Sequence, residues 1–352
     1  MNITTIGVDL AKNVFQVHGV DEFGKAALRK QLKRAQVLSF FVNLPRCVIG
    51  MEACGSAHFW ARKFTELGHT VKLMAPQFVK PYVKTNKNDA ADAEAICEAV
   101  GRESMRFVPI KNAEQQALLA LHRARQGFVG ARTAQVNQIR GLLAEFGIVI
   151  PAGIRRVREN MPEILQDAES ELPCISRDLF SRLFSHFLEL DSQVRQLEAQ
   201  IQAWHREDAV SRRLQGIPGV GPITASALVG SIGDASTFKN GRQLAAWLGL
   251  VPRQKSSGGK EQLLGISKRG DTYLRTLLIH GARSVVRQLK LKATQPEGWL
   301  ARLALRRNLN IAAVALANKN ARIVWALLVH GRDYQAGYVA PRSRGIMAVT
   351  AQ

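Results

Sequence analysis

The sequence predicts a chain of mixed class, with an α/β part at the N-terminus followed by mainly α-helical parts. Over residues 1–110, strand-like runs alternate with helix-like segments. Residues 111–210 end in an unbroken apolar heptad, and basic side chains concentrate among the helical patterns of residues 211–340. We therefore expect three folded parts over these ranges and a loose tail over 341–352.

The N-terminal part alternates strands and helices in a definite order. Three strand-like segments come first, and a turn-forming run, Asp-Glu-Phe-Gly, joins the second to the third. The predicted segments are strands 4–9, 14–20 and 25–31, helix 33–42, strand 47–52, helix 56–67, strand 70–74 and helix 89–100. The order β-β-β-α-β-α-β-α is that of an RNase H-like domain, in which the first and fourth strands lie side by side.

The middle part is predicted to be mostly helical, with breaks around 151–153 and 162–173. Apolar residues step by three and four along its second half: Phe180, Leu183, Phe187, Leu190, Val194, Leu197, Ile201 and Trp204. A sustained 3.5-residue repeat favours a coiled coil. The partner of this seam is either the helix over 113–146 of the same chain or a second protomer, and the pattern fits both.

The C-terminal part opens on a glycine-rich turn at 216–222 that runs into a helix over 223–232. Helix-hairpin-helix-like turns of this kind point backbone N–H groups at a phosphate, although an ordinary turn between helices has the same pattern. Residues 244–250, a loop at 251–264 rich in Gly, Ser and Lys, and several basic helices follow.

Neither the cysteines nor the apolar runs indicate a secreted or membrane protein. Cys47, Cys54, Cys97 and Cys174 form no CxxC pair, so neither a zinc site nor a disulfide framework is expected. The N-terminus lacks the basic and apolar regions of a signal peptide. The longest apolar runs, 311–317 and 323–329, are separated by polar residues, and each is shorter than the roughly 18 residues of a membrane span. We expect a cytoplasmic protein.

The charge of the chain indicates a polyanionic partner. The net charge is +21, and from Arg253 onward 18 basic residues face four acidic ones, so that this third of the chain carries +14. Each phosphate that such a surface neutralises releases condensed counterions, which favours nucleic-acid binding. A solvated basic surface and attraction to anionic lipid are the alternatives.

Four carboxylates are predicted to meet in the N-terminal part. Asp9 ends the first strand, Glu52 ends the fourth, and Asp89 and Asp92 lie one turn apart at the start of the last helix. Such a cluster needs cations, and hard oxygen ligands suit Mg²⁺ or Mn²⁺. Taken singly, Asp9 also fits a turn at a strand end, and Asp89 fits a helix N-cap with Asp92 in the first turn. Glu52, which ends a buried strand, needs a partner.

The loop at 251–264 offers a nucleophile. Ser256 and Ser257 precede two glycines and lie among Arg253, Lys255 and Lys260, which can hold a phosphate while a hydroxyl attacks it. A serine also needs a base or a metal for activation, which this loop does not supply. The alternative is a flexible loop facing solvent.

Several motifs together resemble a known family. In the N-terminal part these are GVDLAK at 7–12, GMEACG at 50–55 and NKNDAADA at 86–93, and in the C-terminal part they are 216–232, 244–252, Ser257-Gly258, 267–270 and Leu274-Arg275. They resemble the DEDD transposases of bacterial insertion sequences, the one-hundred-and-ten insertion-sequence family, which includes the Piv DNA invertase. The similarity covers nearly the whole chain in the right order.

The resemblance implies a RuvC-like, RNase H-fold domain whose catalytic and metal-binding acids are Asp9, Glu52, Asp89 and Asp92. It also implies a C-terminal serine that attacks DNA and forms a phosphoserine link, completing a composite site with that domain. Alignment on the preceding Gly-Leu-Val-Pro places this serine at Ser257, and a one-residue gap would place it at Ser256.

The resemblance also implies partners. Family members are thought to recombine DNA through a Holliday-junction-like intermediate, to form tetramers from dimers, and to use a bridge RNA that pairs with donor and target DNA. A bacterial, nucleoid-associated protein is expected. The expected nucleic-acid contacts are Arg253, Lys255, Lys260, Lys268, Arg269 and Arg275. The competing hypotheses are a RuvC-like junction endonuclease that uses water and a non-catalytic nucleic-acid-binding protein.

Overall fold

The structure, a computed structural model, describes residues 3–83, 88–167, 172–292 and 298–338. The chain divides into two units. The first comprises Met1–Leu119 with Gly230–Asp234, and the second comprises Ala120–Val229 with Ala235–Gln352. The residues predicted as a separate middle part therefore fall mostly in the second unit, and the predicted tail at 341–352 lies outside the described residues.

The first unit is built on a mixed six-stranded sheet in the order β3-β2-β1-β4-β5-β6. Its elements are β1 (Thr5–Leu10), β2 (Val14–Val20), β3 (Ala26–Lys33), α1 (Val37–Val42), β4 (Val48–Glu52), α2 (Ala57–Glu66), β5 (Thr70–Met74), α3 (Pro76–Val79), α4 (Asp89–Val100) and β6 (Phe107–Val108). β1, β4 and β5 are parallel neighbours, whereas β2, β3 and β6 pair antiparallel. The predicted order and the β1–β4 adjacency are confirmed, and the short α3 and β6 are additions that the sequence pattern does not predict.

Two glycines let α4 lie directly on the centre of this sheet. Gly7 of β1 is opposite Gly50 of β4 in the parallel register. A Cβ at Gly7 would lie 2.2 Å from the carbonyl oxygen of Ala93, and one at Gly50 would lie 2.7 Å from the Cβ of Val100. Because no side chain separates the helix from these strands, the first turn of α4 is held close to the end of β1.

The second unit is mainly helical. Its elements are α5 (Ala113–Ala144), α6 (Ile154–Gln166), α7 (Cys174–Glu207), α8 (Ala209–Gln215), α9 (Pro222–Ile232), α10 (Gly241–Trp247), β7 (Pro252–Gln254), β8 (Leu263–Ile266), α11 (Thr272–Lys292), α12 (Gly298–Arg306) and α13 (Leu309–His330). Helix α5 begins in the first unit, and α9 ends there.

The heptad residues of α7 find partners within the chain. Phe180 and Phe187 share a core with Ile139 and Leu143 of α5. Polar pairs along the two helices run in opposite directions: Gln135 with Leu183, Arg132 with Asp191, and Arg125 with Glu198. The helices therefore form an antiparallel hairpin, which is the intrachain alternative for the seam.

Two predicted irregular segments differ in the structure. The predicted break at 162–173 begins later than expected, because α6 continues through Pro162 to Gln166, and α7 begins at Cys174. The burial of Val157 and Met161 on one face of α6 compensates for the backbone hydrogen bond that the helix loses at the proline. The predicted loop at 251–264 instead contains most of the β7–β8 hairpin, whose strands of three and four residues are too short to show an alternating apolar pattern.

Helix α13 joins the two apolar runs into one helix of 22 residues, which is long and apolar enough in composition to cross a membrane. The polar residues between the two runs lie within the helix and do not end it. Asn318 and Asn320 donate side-chain hydrogen bonds to the carbonyl oxygens of Leu250 and Pro218. The helix packs against α10 and α11, with residues such as Leu316 and Val324 buried. It is therefore a core helix of the second unit.

Candidate acidic metal site and serine hairpin

Three of the four predicted carboxylates meet in the first unit. Asp9, Asp89 and Asp92 each offer one carboxylate oxygen, and these oxygens all lie within 4.8 Å of one another. Asp9 is the penultimate residue of β1, whereas Asp89 begins α4 and Asp92 follows one turn later. The close packing of α4 on Gly7, two residues before Asp9, brings the two elements together.

The start of α4 is fixed by Asn88 and not by Asp89. The side-chain oxygen of Asn88 accepts a hydrogen bond of 3.0 Å from the backbone N–H of Ala90. The interpretation of Asp89 as the N-cap is therefore wrong, and its carboxylate is not used as a cap. Asp89 and Asp92 both lie in the first turn, where the positive end of the helix favours negative charge.

The donor set fits a divalent cation. Three carboxylates this close repel one another unless a cation lies between them, and hard oxygen ligands are what Mg²⁺ and Mn²⁺ prefer. Asp9 and Asp92 are partly buried while Asp89 is exposed, so the cluster is open on one side. A substrate oxygen can therefore approach it.

Glu52 lies near this group without joining it. It ends β4, one residue beyond the Val8–Met51 pair, and so lies beside Asp9 on the neighbouring strand. Burial, followed by the negative charges of Glu52 and Asp9, raises the pKa of the Cys54 thiol, which places both carboxylates near that sulfur. The Glu52 carboxylate is outside the group of three whose oxygens meet within 4.8 Å.

The serine candidates lie at the tip of the β7–β8 hairpin in the second unit. The carbonyl of Ser257 accepts the N–H of Lys260 at 3.1 Å, and Gly258 and Gly259 have φ of 56° and 76°. Two successive positive φ angles between hydrogen-bonded ends define a type I′ turn, which glycine favours. Ser256 and Ser257 are both exposed, so Ser257 occupies a defined turn position open to solvent.

Five of the six basic residues predicted to contact nucleic acid are exposed: Arg253, Lys255, Lys260, Lys268 and Arg269. Arg275 is different, since only 7% of it is exposed. Its guanidinium donates to the carbonyl oxygens of Leu248 and Arg269 at 3.1 and 2.9 Å and to the hydroxyl of Thr272 at 3.0 Å. The structure therefore gives Arg275 a supporting role inside the unit and not an open phosphate contact.

Sequence reasoning missed how the segment after the hairpin is held. Gly249 has φ of 70°, and a Cβ there would lie 2.1 Å from the carbonyl oxygen of Arg269. A Cβ at Gly270 would lie 1.8 Å from the carbonyl oxygen of Trp247. These glycines let the segment before the hairpin contact the backbone of the segment after it. Both glycines lie within the motifs 244–252 and 267–270, which is the sequence feature from which this contact could have been predicted.

Comparisons with known proteins agree with these features. A family model described as "Transposase IS116/IS110/IS902 family" matches residues 211–295, and a DEDD model of IS110 transposases, described as "Transposase", matches residues 6–148. The chain is 56% identical over 338 residues to a "Probable family 20 transposase" of Pseudomonas aeruginosa, covering 96% of this chain and 100% of the relative.

Two further relatives are named for insertion sequences. The transposase for insertion sequence element IS1111A of Coxiella burnetii is 47% identical over 96% of this chain and 92% of its own length. The transposase for insertion sequence element IS1328 of Yersinia enterocolitica is 44% identical over 94% of this chain and 98% of its own length. The similarity thus spans both units.

Proposed function

Because this chain belongs to the IS116/IS110/IS902 family of insertion-sequence transposases, we propose that it cuts and rejoins DNA with a serine nucleophile and a divalent metal ion. The observation that carries this proposal is the pairing of two features in one chain. One is the Asp9, Asp89 and Asp92 cluster, and the other is an exposed serine at a defined hairpin turn.

Asp9, Asp89 and Asp92 would hold the cation, which we take to be Mg²⁺ or Mn²⁺. When bound, the cation would stabilise negative charge on phosphate oxygens. Glu52 lies beside Asp9, and we propose that it assists through the surrounding hydrogen bonds or through a second ion. A three-carboxylate donor set of this kind supports the assignment.

Ser257 is the proposed nucleophile. Its Oγ forms a bond to the phosphorus of one DNA strand while the bond from that phosphorus to one deoxyribose oxygen breaks. The hydroxyl proton is lost to a base, and the departing sugar oxygen takes up a proton. The phosphoserine retains a phosphodiester, so the reverse attack by another sugar hydroxyl can rejoin DNA without an external energy source. Exposed Arg253, Lys255 and Lys260 around the turn support this role by their charge.

We also propose that a bridge RNA selects the DNA sequences and that the active form is a dimer or tetramer in the bacterial nucleoid. The +14 charge of the C-terminal third supports a large nucleic-acid surface. Exposed Ile175, Leu179 and Leu188 of α7 lie outside the intrachain seam and support an interface between protomers.

The test is a trapped covalent complex. Labelled element-end DNA is incubated with the protein, its co-expressed RNA and Mg²⁺, and the products are separated on a denaturing gel. We expect a slow protein–DNA band with the natural sequence and with Ser256→Ala, and none with Ser257→Ala. Ser256→Ala is the matched control because it removes the neighbouring hydroxyl from the same exposed turn.

Other outcomes overturn parts of the proposal. Loss of the band only in Ser256→Ala would move the nucleophile by one residue. Nicked DNA with 5′-phosphate ends and no attached protein would favour a junction endonuclease that uses water. Full activity of the doubly substituted Asp9→Asn, Asp92→Asn protein would contradict the metal site.

A further inference from the structure

A polar cavity of about 410 Å³ lies between α4 and the β2–β3 edge of the first unit. The sheet lines it with Gln16, His18, Arg29 and Gln31, and the helix lines it with Asn88 and Glu94, among others. None of these residues has a role in the proposed chemistry.

The strand register connects this cavity to the acidic cluster. Asp9 is opposite Gln16, which is opposite Gln31, and in the next row Gly7 is opposite His18, which is opposite Arg29. Directly opposed residues of antiparallel strands project from the same face of a sheet. Because Gly7 faces α4, both rows do as well. Gln31 is thus two strand spacings from Asp9, about 10 Å.

The side chains in this cavity are suited to an anion. Arg29 supplies positive charge from the face that carries α4, and Glu94 is the one acid lining the cavity in the described part of the chain. Arg29 Nη2 forms an ion pair with Glu94 Oε2 at 3.9 Å, which is longer than a hydrogen bond, so the N–H groups of Arg29 are not used by Glu94.

His18 adds a donor that faces the same space. Only 6% of the residue is exposed, and it lines the cavity beside Gln16 and Arg29. Burial, opposed by Glu94 and reinforced by Arg29, lowers its pKa, so the ring is neutral near pH 7 and can donate from one nitrogen.

We propose that this cavity binds a backbone phosphate of the DNA strand that passes over the Asp9, Asp89 and Asp92 cluster, close to the phosphate that is cleaved. Arg29 and His18 would contact the phosphate oxygens, and Gln16 and Gln31 would guide the strand between the two places. The inference rests on the proposed function in taking that cluster as the place where DNA is cut.

The test combines one protein change with one DNA change. A neutral methylphosphonate replaces each phosphate of the element-end DNA in turn, and binding to the protein with its co-expressed RNA is followed by fluorescence anisotropy. We expect one position within a few nucleotides of the cleaved phosphate to weaken binding about tenfold, the typical value of a charged hydrogen bond. Arg29→Ala should weaken binding to unmodified DNA by a similar factor and show no further loss at that position.

Two other variants serve as controls. Arg106→Ala removes the same charge from an exposed residue preceding β6, at the opposite edge of the sheet, and should keep the full methylphosphonate effect. Glu94→Gln removes the acid from the cavity and should tighten binding of unmodified DNA several-fold, an opposite sign that misfolding cannot produce.

The inference is overturned if Arg29→Ala and the methylphosphonate act independently at every position. It is also overturned if the coupling occurs only when a synthetic RNA that carries the methylphosphonates replaces the co-expressed RNA. The anisotropy measurement does not require DNA cleavage. If the natural sequence gives no covalent protein–DNA band but Arg29→Ala and the methylphosphonate still act on the same contact, the serine mechanism is refuted and the phosphate site is retained.

Discussion

Asp9, Asp89 and Asp92 come from two elements that are some eighty residues apart in sequence, and they meet because the glycine at position 7 lets α4 approach β1. Their types and positions at element ends could be predicted from the sequence. The sequence could not show that the Glu52 carboxylate lies outside the group of three, because this depends on the position of each carboxylate in the folded unit.

The first prediction concerns this difference. Asp92→Asn removes one of the three clustered carboxylates, and we expect it to weaken Mn²⁺ binding by about 100-fold. Glu52→Gln should weaken it less, because Glu52 lies outside the group. Electron paramagnetic resonance of free Mn²⁺ measures both. Equal losses in the two variants would contradict the geometry described for Glu52.

A buried histidine of the second unit makes stability depend on pH. His122 Nδ1 lies 3.0 Å from the hydroxyl of Tyr273, and Nε2 lies 3.1 Å from that of Ser226. Burial, followed by the nearby positive charge of Arg125, lowers the pKa of His122 to about 4. The unfolded chain therefore binds a proton at higher pH than the folded one, and stability is lost as the pH falls from about 6.5 towards 4.

The second prediction follows from this pKa. Between pH 7 and pH 4.5 the free energy of unfolding should fall by about 2 kcal/mol more in the natural sequence than in His122→Gln. Urea titrations followed by circular dichroism at the two pH values give the difference. The same pH dependence in both proteins would show that His122 is not the group responsible.

At the scale of elements, alternation and β-branched runs predicted β1 to β5 of the first unit, whereas the two-residue β6 is too short to show a pattern. The hairpin β7–β8 escaped prediction since its strands are only three and four residues long and mostly exposed, and only the paired glycines mark the turn. Pro162 predicted an irregular segment where the structure has helix, because the tertiary packing of α6 outweighs the local preference of proline.

The third prediction tests how α4 is seated on the sheet. Gly7→Ala places a methyl 2.2 Å from the carbonyl oxygen of Ala93, so the first unit should lose about 1–3 kcal/mol of stability and the metal site should weaken with it. Gly130→Ala in α5 meets open space within a helix and should be neutral or stabilising by up to about 1 kcal/mol. Thermal unfolding and Mn²⁺ titration measure both effects. An undisturbed metal site in Gly7→Ala would show that this contact does not position the acids.

A buried ion cluster holds the α5, α6 and α7 helices together. Asp191 is 4% exposed and pairs with Arg132 at 2.6 Å, with Arg195 at 3.0 Å and with Arg158. Removing this one carboxylate leaves three guanidinium groups facing one another. The Nε of Arg132 already has no hydrogen-bond partner among the described residues.

The fourth prediction is that Asp191→Asn lowers the free energy of unfolding by about 3 kcal/mol, as expected when one partner of a buried ion pair is removed. Glu159→Gln breaks an exposed pair with Arg155 on α6 and should leave the free energy of unfolding nearly unchanged, because solvent screens that pair. Denaturant unfolding compares the two. A loss below about 1 kcal/mol in Asp191→Asn would contradict the cluster's structural role.

For the whole molecule, composition alone predicted a basic nucleic-acid-binding protein, and the motifs assigned it to a transposase family. The charge of the sequence could not show which basic side chains are exposed to nucleic acid and which are hydrogen-bonded inside the unit. Arg275 counts toward the positive charge of the C-terminal third, yet its guanidinium is used by carbonyl oxygens inside the unit. The cavity beside α4 was also beyond sequence reasoning, because it depends on the register of three strands.

The most direct measurement is mass spectrometry of the trapped protein–DNA complex after nuclease and trypsin digestion. Cleavage after Lys255 and Lys260 releases a five-residue peptide that contains both serines, and fragmentation separates them. We expect a nucleotide phosphate attached to Ser257. A nucleotide on any other residue, or cut DNA with no modified peptide at all, would contradict it.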